Sequence, residues 1–249
     1  DWSSDVCSSD LMNRMPQQIF LSSHVFVKPN AIGELLSYWA RLRYLLNVST
    51  KRLLIRSFDV FVAVVALLIL SPFLLIVVCC IFINSPGAIF YCQKRVGVNG
   101  RIFNFWKFRS MVVNAEQQKD DLISDRGVVD SVRFKMKEDP RITRVGRFIR
   151  KYSIDELPQL WNVIKGDMSL VGPRPPVPKE VNIYSSSDRR RMRIIPGITC
   201  IWQVSGRSEI PFEEQVKLDE DYILCASFWT NLKLLLRTIP AVLFGKGAY

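Results

Sequence analysis

The chain has 249 residues, enough for one large domain or two small ones. Lysine and arginine outnumber aspartate and glutamate by 34 to 23, and this balance favours an anionic partner such as nucleic acid, an acidic membrane surface or a phosphorylated substrate. His24 is the only histidine and the six cysteines form no CxxC pair, which excludes a histidine-based triad or multi-histidine metal site and argues against a thiolate zinc site.

The first fifty residues carry little functional information. Residues 1–11 are rich in serine and aspartate, do not begin with methionine and resemble translated adapter sequence, so we exclude them from the fold. The stretch from Ile19 to Val27 predicts a short strand, and helical periodicity predicts a helix from Ala31 to Val48. We expect residues 1–50 to comprise this adapter-like tag and an uncharacterised N-terminal segment.

An uncharged apolar segment runs from Val60 to Ile83, long enough to cross a bilayer, and length alone favours a transmembrane helix. Ser71 and Pro72 fall at its midpoint, where proline removes a backbone hydrogen bond and a serine hydroxyl can satisfy the freed carbonyl. Basic residues flank both ends: Lys51, Arg52 and Arg56 before it, and Lys94, Arg95, Arg101, Lys107 and Arg109 after it. Because positive flanks favour the cytoplasm, we predict a re-entrant membrane helix over residues 51–84, broken at Ser71 and Pro72.

A β-hairpin is predicted next, because Asn99-Gly100 lies between two apolar aromatic runs, Ile89 to Gln93 and Ile102 to Phe108. Its interleaved bases and aromatics fit either a solvated hairpin with one core face or a patch at the membrane surface. Further on, Arg144, Arg147 and Arg150 recur at three-residue steps and predict one basic helical face.

The stretch from Lys151 to Pro176 is the centre of the functional prediction. Adjacent acids, Asp155 and Glu156, stand at the start of a short helical pattern that ends at Gly166. A rigid loop then holds Arg174 between Pro173 and Pro175, and an acid pair beside a fixed arginine suits a phosphate. The structural alternative is a capping box, since Ser153 and Glu156 have that spacing and acids favour a first turn.

The C-terminal third adds a third candidate arginine and two helices. The stretch from Trp202 to Arg207 brings Arg207 towards the site, and residues from Phe212 to Tyr222 form an amphipathic pattern. The stretch from Phe228 to Leu243 is an apolar helix that is too short and too charged to span, so we predict that it packs on the membrane face.

The segments Ser153 to Val163 and Lys165 to Pro175 resemble the bacterial sugar transferases, the monotopic polyprenyl-phosphate phosphoglycosyl transferases. The resemblance extends from about Lys51 to Tyr249, and Trp202 to Arg207 resembles a further motif of the family, although Cys200 stands where the family pattern has glycine. It implies a mainly α fold with a small β-hairpin, in which residues 85–249 form a compact cytoplasmic catalytic domain beside the re-entrant helix.

The resemblance also implies the chemistry. A sugar-1-phosphate, from a hexose, would pass from a UDP-sugar to undecaprenyl phosphate with release of UMP. Asp155 would be the nucleophile of a covalent aspartyl phospho-sugar intermediate, and Glu156 would position the metal or the acceptor phosphate. Mg²⁺ would be held by Asp155 and Glu156. The phosphate- and nucleotide-binding residues would be Arg150, Pro173, Arg174, Pro175 and Arg207.

The resemblance implies a location in the bacterial inner membrane, with the catalytic domain on the cytoplasmic face, and a place in exopolysaccharide, capsule or O-antigen synthesis. Membrane lipids are then partners, nucleic acid is not, and homo-oligomerisation stays open. Two other functions are weighed against the transferase: a non-catalytic membrane anchor, in which the acids only cap a helix, and a basic nucleic-acid-binding protein. Loss of activity in Asp155→Ala separates the transferase from the anchor, whereas salt-sensitive DNA binding would favour the third function.

Overall fold

The structure, a computed structural model, describes residues 31–118 and 139–244, so the predicted strand from Ile19 to Val27 and the adapter-like stretch lie outside it. In chain order the elements are α1 (Ala31–Asn84), β1 (Phe90–Val96), β2 (Ile102–Phe108), α2 (Arg144–Lys151), α3 (Gln159–Lys165), β3 (Ser169–Val171), α4 (Pro178–Asn182), β4 (Gly197–Thr199), α5 (Ile201–Ser205), α6 (Phe212–Cys225) and α7 (Phe228–Phe244). Short 3₁₀ segments cover Val98–Gly100, Ile154–Glu156, Asp188–Arg193 and Arg207–Glu209. The predicted mainly α fold with a small β-hairpin is confirmed.

Helix α1 is 54 residues long, and its segment Ser49–Asn84 is long and apolar enough to cross a membrane. The predicted break at Ser71 and Pro72 is wrong as an interruption, because helical backbone continues through both residues. Pro72 has no N–H to donate to the Leu68 carbonyl, and the Ser71 hydroxyl donates to that carbonyl instead, at 2.8 Å. The helix is also continuous across the predicted boundary at residue 50. The re-entrant path of the helix and the predicted division into domains stay predictions.

One stripe of α1 packs against the rest of the chain while the opposite face is exposed. Ala63 lies in the main core with aromatic residues of β2, and Val77 and Ile81 pack in a second cluster with Phe108 of β2 and an α2 isoleucine. On the other side Leu68 and Ile69 are 69% and 71% exposed. A helix that buries one stripe in protein and leaves a broad apolar face outside is suited to lie against lipid.

The predicted hairpin is confirmed. Strands β1 and β2 are antiparallel, and Asn99 in the connecting turn has a left-handed φ of 53°. Because side chains alternate along a strand, Phe103 and Phe105 of β2 both point into the core. Lys107 continues the same alternation, and its ammonium lies 5.6 Å from the centre of the Phe105 ring. The hairpin therefore has the core face of the first alternative, and that face carries a lysine inward.

A second sheet is parallel and pairs β3 with β4. Gly172 follows β3 and Gly197 begins β4, and the two backbones touch. A Cβ on Gly197 would lie 2.0 Å from the Gly172 nitrogen, which no side chain can occupy. Glycine at this position lets β4 approach the loop that carries Arg174.

Gly197→Ala is expected to destabilise the protein by about 1–3 kcal/mol, because the added methyl group forces the two strands apart. Thermal unfolding in detergent measures the effect. Gly206→Ala is the matched control, since its Cβ would meet only the flexible side chain of Ile210, at 3.0 Å. Equal unfolding temperatures for the two variants would contradict the close approach.

Candidate active site

A cavity of about 690 Å³ lies where α1, β2, α2, α5 and α7 meet. It is lined by both predicted acids and all three predicted arginines: Arg150, Asp155, Glu156, Arg174 and Arg207. These residues are spread over 58 positions of the chain, so only the fold could bring them together. A pocket of this volume is within the usual range for small-molecule sites.

The turn that carries the acids excludes the capping-box alternative. Ser153 is in the left-handed region, with φ 53°, and its side chain makes no capping hydrogen bond. The 3₁₀ turn Ile154–Glu156 then directs both carboxylates to the cavity, with only 8% of the Asp155 side chain and 18% of the Glu156 side chain exposed. Two acids this well buried need a cation, because an uncompensated buried charge is costly.

Lys107 is that cation, and sequence reasoning missed its role by treating it only as a basic flank. Its Nζ lies 2.6 Å from Oε1 of Glu156 and 3.8 Å from Oδ2 of Asp155. The signal that could have identified it was the alternation of β2, which places residue 107 on the same face as Phe103 and Phe105.

The two acids are pushed to opposite protonation behaviour. Burial raises the pKa of Asp155. The charge of Lys107, 3.8 Å away, opposes this rise, and the neighbouring Glu156 carboxylate adds to it. Burial also acts to raise the pKa of Glu156, but the charges of Lys107 and Arg174 with the Lys107 hydrogen bond outweigh it and lower this pKa to about 2. Glu156 is therefore the fixed anion of the pair, and Asp155 is the acid with the less stabilised charge.

The loop with Arg174 is held from both sides through backbone atoms. Nη1 of Arg95, on β1, donates to the Pro175 carbonyl at 2.9 Å, and the Gly197 amide donates to the Pro173 carbonyl at 3.0 Å. Pro173 and Pro175 are buried and do not line the cavity, so their part is to fix Arg174. Burial and the nearby Arg174 charge lower the pKa of Arg95 to about 10.

Arg207 ties the cavity to the C-terminal helix, because its Nη2 donates to the Ala241 carbonyl of α7 at 2.7 Å. Arg150 of α2 lines the cavity beside Asp155, and its charge partly offsets the rise that burial causes in the pKa of that acid. Cys200, where the family pattern has glycine, has an extended backbone with φ −148° that any residue adopts. Its thiol donates to Oε1 of Gln203 at 3.1 Å, so the departure leaves the local backbone undisturbed.

One part of the cavity wall is apolar and comes from α1 and α7. Leu70 and Phe73 of α1 flank the Ser71-Pro72 pair, and Val242 and Leu243 come from the end of α7. Ser71 and Pro72 themselves are exposed and do not line the cavity. The site thus combines a charged floor, formed by the two acids and the three arginines, with an apolar wall formed by side chains of α1 and α7.

Helix α7 confirms the predicted C-terminal helix. Its outer face exposes large apolar side chains, among them Trp229, Leu236 and Ile239, on the same molecule whose α1 exposes Leu68 and Ile69. Aromatic and aliphatic side chains on an amphipathic helix are typical of the membrane interface.

The amino-acid sequence is similar to a known protein family and to individual proteins of several bacteria. The family model described as bacterial sugar transferase matches residues 50–245. The chain is 50% identical over 194 residues to a galactosyl transferase, CpsE, of Streptococcus agalactiae, covering 78% of this chain and 43% of that protein. It is 41% identical over 197 residues to the exopolysaccharide production protein ExoY of Sinorhizobium fredii, covering 78% of this chain and 87% of that protein.

A further relative is an undecaprenyl-phosphate galactose phosphotransferase of Salmonella typhimurium, 41% identical over 212 residues. That match covers 84% of this chain but 44% of the relative. The chain thus spans less than half of the Streptococcus and Salmonella proteins and most of the Sinorhizobium one.

Proposed function

This chain belongs to the bacterial sugar transferase family, and from that membership we propose that it moves a sugar-1-phosphate from a UDP-sugar to undecaprenyl phosphate, with release of UMP. One observation carries the proposal: a single cavity joins the charged pair Asp155 and Glu156 to an apolar wall on the membrane helix. A soluble charged donor and a lipid-bound acceptor need those two surfaces side by side. The relative named for undecaprenyl phosphate and galactose supports the lipid acceptor and a hexose as the sugar.

The first step is an in-line displacement at the β-phosphorus of the UDP-sugar. An Oδ of Asp155 forms a bond to that phosphorus, and the bond from the phosphorus to the bridging oxygen breaks, so UMP leaves with that oxygen. The sugar phosphate is then held as an acyl phosphate on Asp155. No proton has to move, because a carboxylate attacks and a phosphate leaves.

The second step uses the same phosphorus from the acceptor side. A phosphate oxygen of undecaprenyl phosphate bonds to the phosphorus, the bond to Asp155 breaks, and the carboxylate is restored. The product is a diphosphate that joins lipid and sugar. The apolar wall at Leu70 and Phe73 lies at the cavity that holds Asp155, so it is suited to the first isoprene units of the acceptor.

Charge neutralisation is the main task in phosphoryl transfer, and the cavity is built for it. Arg150, Arg174 and Arg207 offer planar forks that bind phosphate oxygens in pairs. Lys107 holds Glu156 ionised and keeps the second acid oriented. Each of these groups lies at the cavity before substrate binds, so little reorganisation accompanies the reaction.

Mg²⁺ fits the donor set of the two acids. Among the described residues no group of three histidines, cysteines or acids could hold a metal. Two carboxylates completed by substrate phosphates, however, are a set that this ion uses in phosphate-handling enzymes. Asp155 and Glu156 would hold it, and it would supply charge neutralisation at the diphosphate.

We propose a monotopic arrangement in the cytoplasmic membrane, with the cavity on the cytoplasmic side. The polar part of the chain contacts α1 at both ends of its apolar segment, at Asp59 near the start and at Ile81 near the end. One charged body that reaches both ends supports a helix that enters and leaves on the same side. A straight span would place those ends on opposite sides of the bilayer.

Thiol labelling tests this topology with a native probe. Cys92 on β1 is exposed and follows the apolar segment, and Ser57→Cys provides an exposed thiol before it. With the other cysteines replaced, a membrane-impermeant maleimide is expected to label both sites only in inside-out vesicles. Labelling of the two sites from opposite faces would contradict the monotopic arrangement.

A donor panel tests the function itself. Purified protein, undecaprenyl phosphate and a series of radiolabelled UDP-hexoses are expected to give labelled lipid and free UMP in equal amounts. Galactose and glucose come first in the panel, because relatives are named for these sugars. If none of the UDP-sugars in the panel transferred label to the lipid, the result would contradict the proposal.

A further inference from the structure

We propose that Arg56 and Asp59 of α1 are positioning residues that hold the membrane helix in fixed register with the segment that carries Asp155 and Arg174. Through this clamp the apolar wall and the reacting carboxylate meet at one depth. The inference rests on the proposed function, because it concerns how the lipid acceptor reaches Asp155. Neither residue lines the cavity.

Arg56 grips the end of α3, the helix that directly follows the acid pair. Its guanidinium donates to the Met168 carbonyl at 3.2 Å, to the Ile164 carbonyl at 3.2 Å and to the Val163 carbonyl. The last carbonyls of a helix lack the usual amide partner four residues on and carry its negative dipole end. Here the Val163 carbonyl also accepts from the Gly166 amide, at 3.1 Å, and Met168 lies three residues beyond the end of α3. A cation from α1 therefore completes α3 and attaches it to the membrane helix.

Asp59 lies three residues after Arg56 on α1 and therefore on the same face of the helix. It contacts the start of β3. It is 2% exposed, and its Oδ2 accepts from the Ser169 hydroxyl at 2.5 Å. Ser169 opens β3, and β3 leads directly into the loop that holds Arg174. The contacts of Arg56 and Asp59 thus fix α3, which follows the acid pair, and β3, which leads into the loop with Arg174.

The face with Arg56 and Asp59 continues through Ala63 in the core to Leu70 in the cavity wall. Leu70 lies 14 residues beyond Arg56, a rise of roughly 21 Å. A slip of one residue along this interface would turn the wall by about 100° about the helix axis. The clamp therefore sets the position of Leu70 and Phe73 relative to Asp155.

The acids have separate support that does not come from α1. Lys107 of β2 pairs with both carboxylates, and Arg150 comes from α2. Loosening the clamp should accordingly displace the apolar wall more than the charged floor. The reaction with the lipid acceptor should suffer, whereas the release of UMP from the donor should not.

Arg56→Ala is expected to raise KM for undecaprenyl phosphate by about tenfold or more, through loss of charged hydrogen bonds. KM for the UDP-sugar and the burst of UMP without acceptor should stay within about twofold. Arg56→Lys is expected to recover only part of the effect, because an ammonium cannot match the guanidinium fork across three carbonyls. Arg52→Ala, at an exposed position four residues earlier on α1, is the control.

Ser169→Ala is the second variant, in case Arg56→Ala fails to fold in detergent. It removes the hydroxyl that Asp59 accepts from, and the same selective rise in acceptor KM is expected. If KM rose equally for the UDP-sugar and for undecaprenyl phosphate, or changed for neither, the positioning role would be overturned. A wild-type protein that releases no UMP would instead refute the proposed function, so the two failures are distinguishable.

Discussion

Asp155→Asn is expected to lower kcat for sugar-phosphate transfer by at least about 1,000-fold, the scale seen when a nucleophile is removed. The amide keeps the shape of the side chain and its place in the 3₁₀ turn, but it cannot form the acyl phosphate. UMP release and lipid labelling should disappear together, because both depend on the first displacement.

The control for Asp155→Asn is Glu213→Gln, which makes the same replacement of one carboxylate oxygen by an amide nitrogen at an exposed acid on α6. Both variants should fold and bind membrane like the wild type, since neither substitution creates a cavity. If the Asp155 variant kept a tenth of the activity or more, the assignment of the nucleophile would be wrong.

Lys107→Met is expected to reduce transfer by about 100-fold, the effect of removing one preorganised charged group at a reacting centre. It should also shift the pH profile. Because Lys107 lowers the pKa of both Asp155 and Glu156, its removal raises both, and protonation inactivates the enzyme at a higher pH. The acid limb of the rate profile should therefore move to higher pH.

Rates measured from pH 5 to 9 would show this shift. Lys107→Arg keeps the charge and should leave the acid limb near its original position, while Lys94→Met changes an exposed lysine of the same hairpin and should do nothing. An unmoved acid limb in Lys107→Met would contradict the ion pair seen between this lysine and the acids.

Much of the fold could be predicted because it depends on local patterns. Asn99-Gly100 between two apolar runs specified the hairpin, and the residues from Phe228 to Leu243 specified α7 from apolar content alone. The interruption at Pro72 was predicted wrongly, although Ser71 was recognised as a possible partner for the freed carbonyl. The structure shows that this hydroxyl does bond to the Leu68 carbonyl and that helical backbone continues through both residues.

The site was predicted in part. Asp155 stood out in the sequence as one of two adjacent acids, and Arg174 stood out as an arginine between two prolines. The structure brings both to one cavity. Lys107 did not stand out, since its partner Glu156 is 49 residues away and only the fold makes them neighbours. The same holds for Arg56, whose three carbonyl acceptors lie more than 100 residues along the chain.

The central claim is that Asp155 bonds covalently to the sugar phosphate, and mass spectrometry of the protein after incubation with UDP-sugar alone tests it most directly. We expect a mass increase of one sugar phosphate on the peptide that contains Asp155, one UMP released per protein, and loss of the adduct when undecaprenyl phosphate is added. UMP that appears only with the acceptor, from a protein that never gains the adduct, would contradict the account.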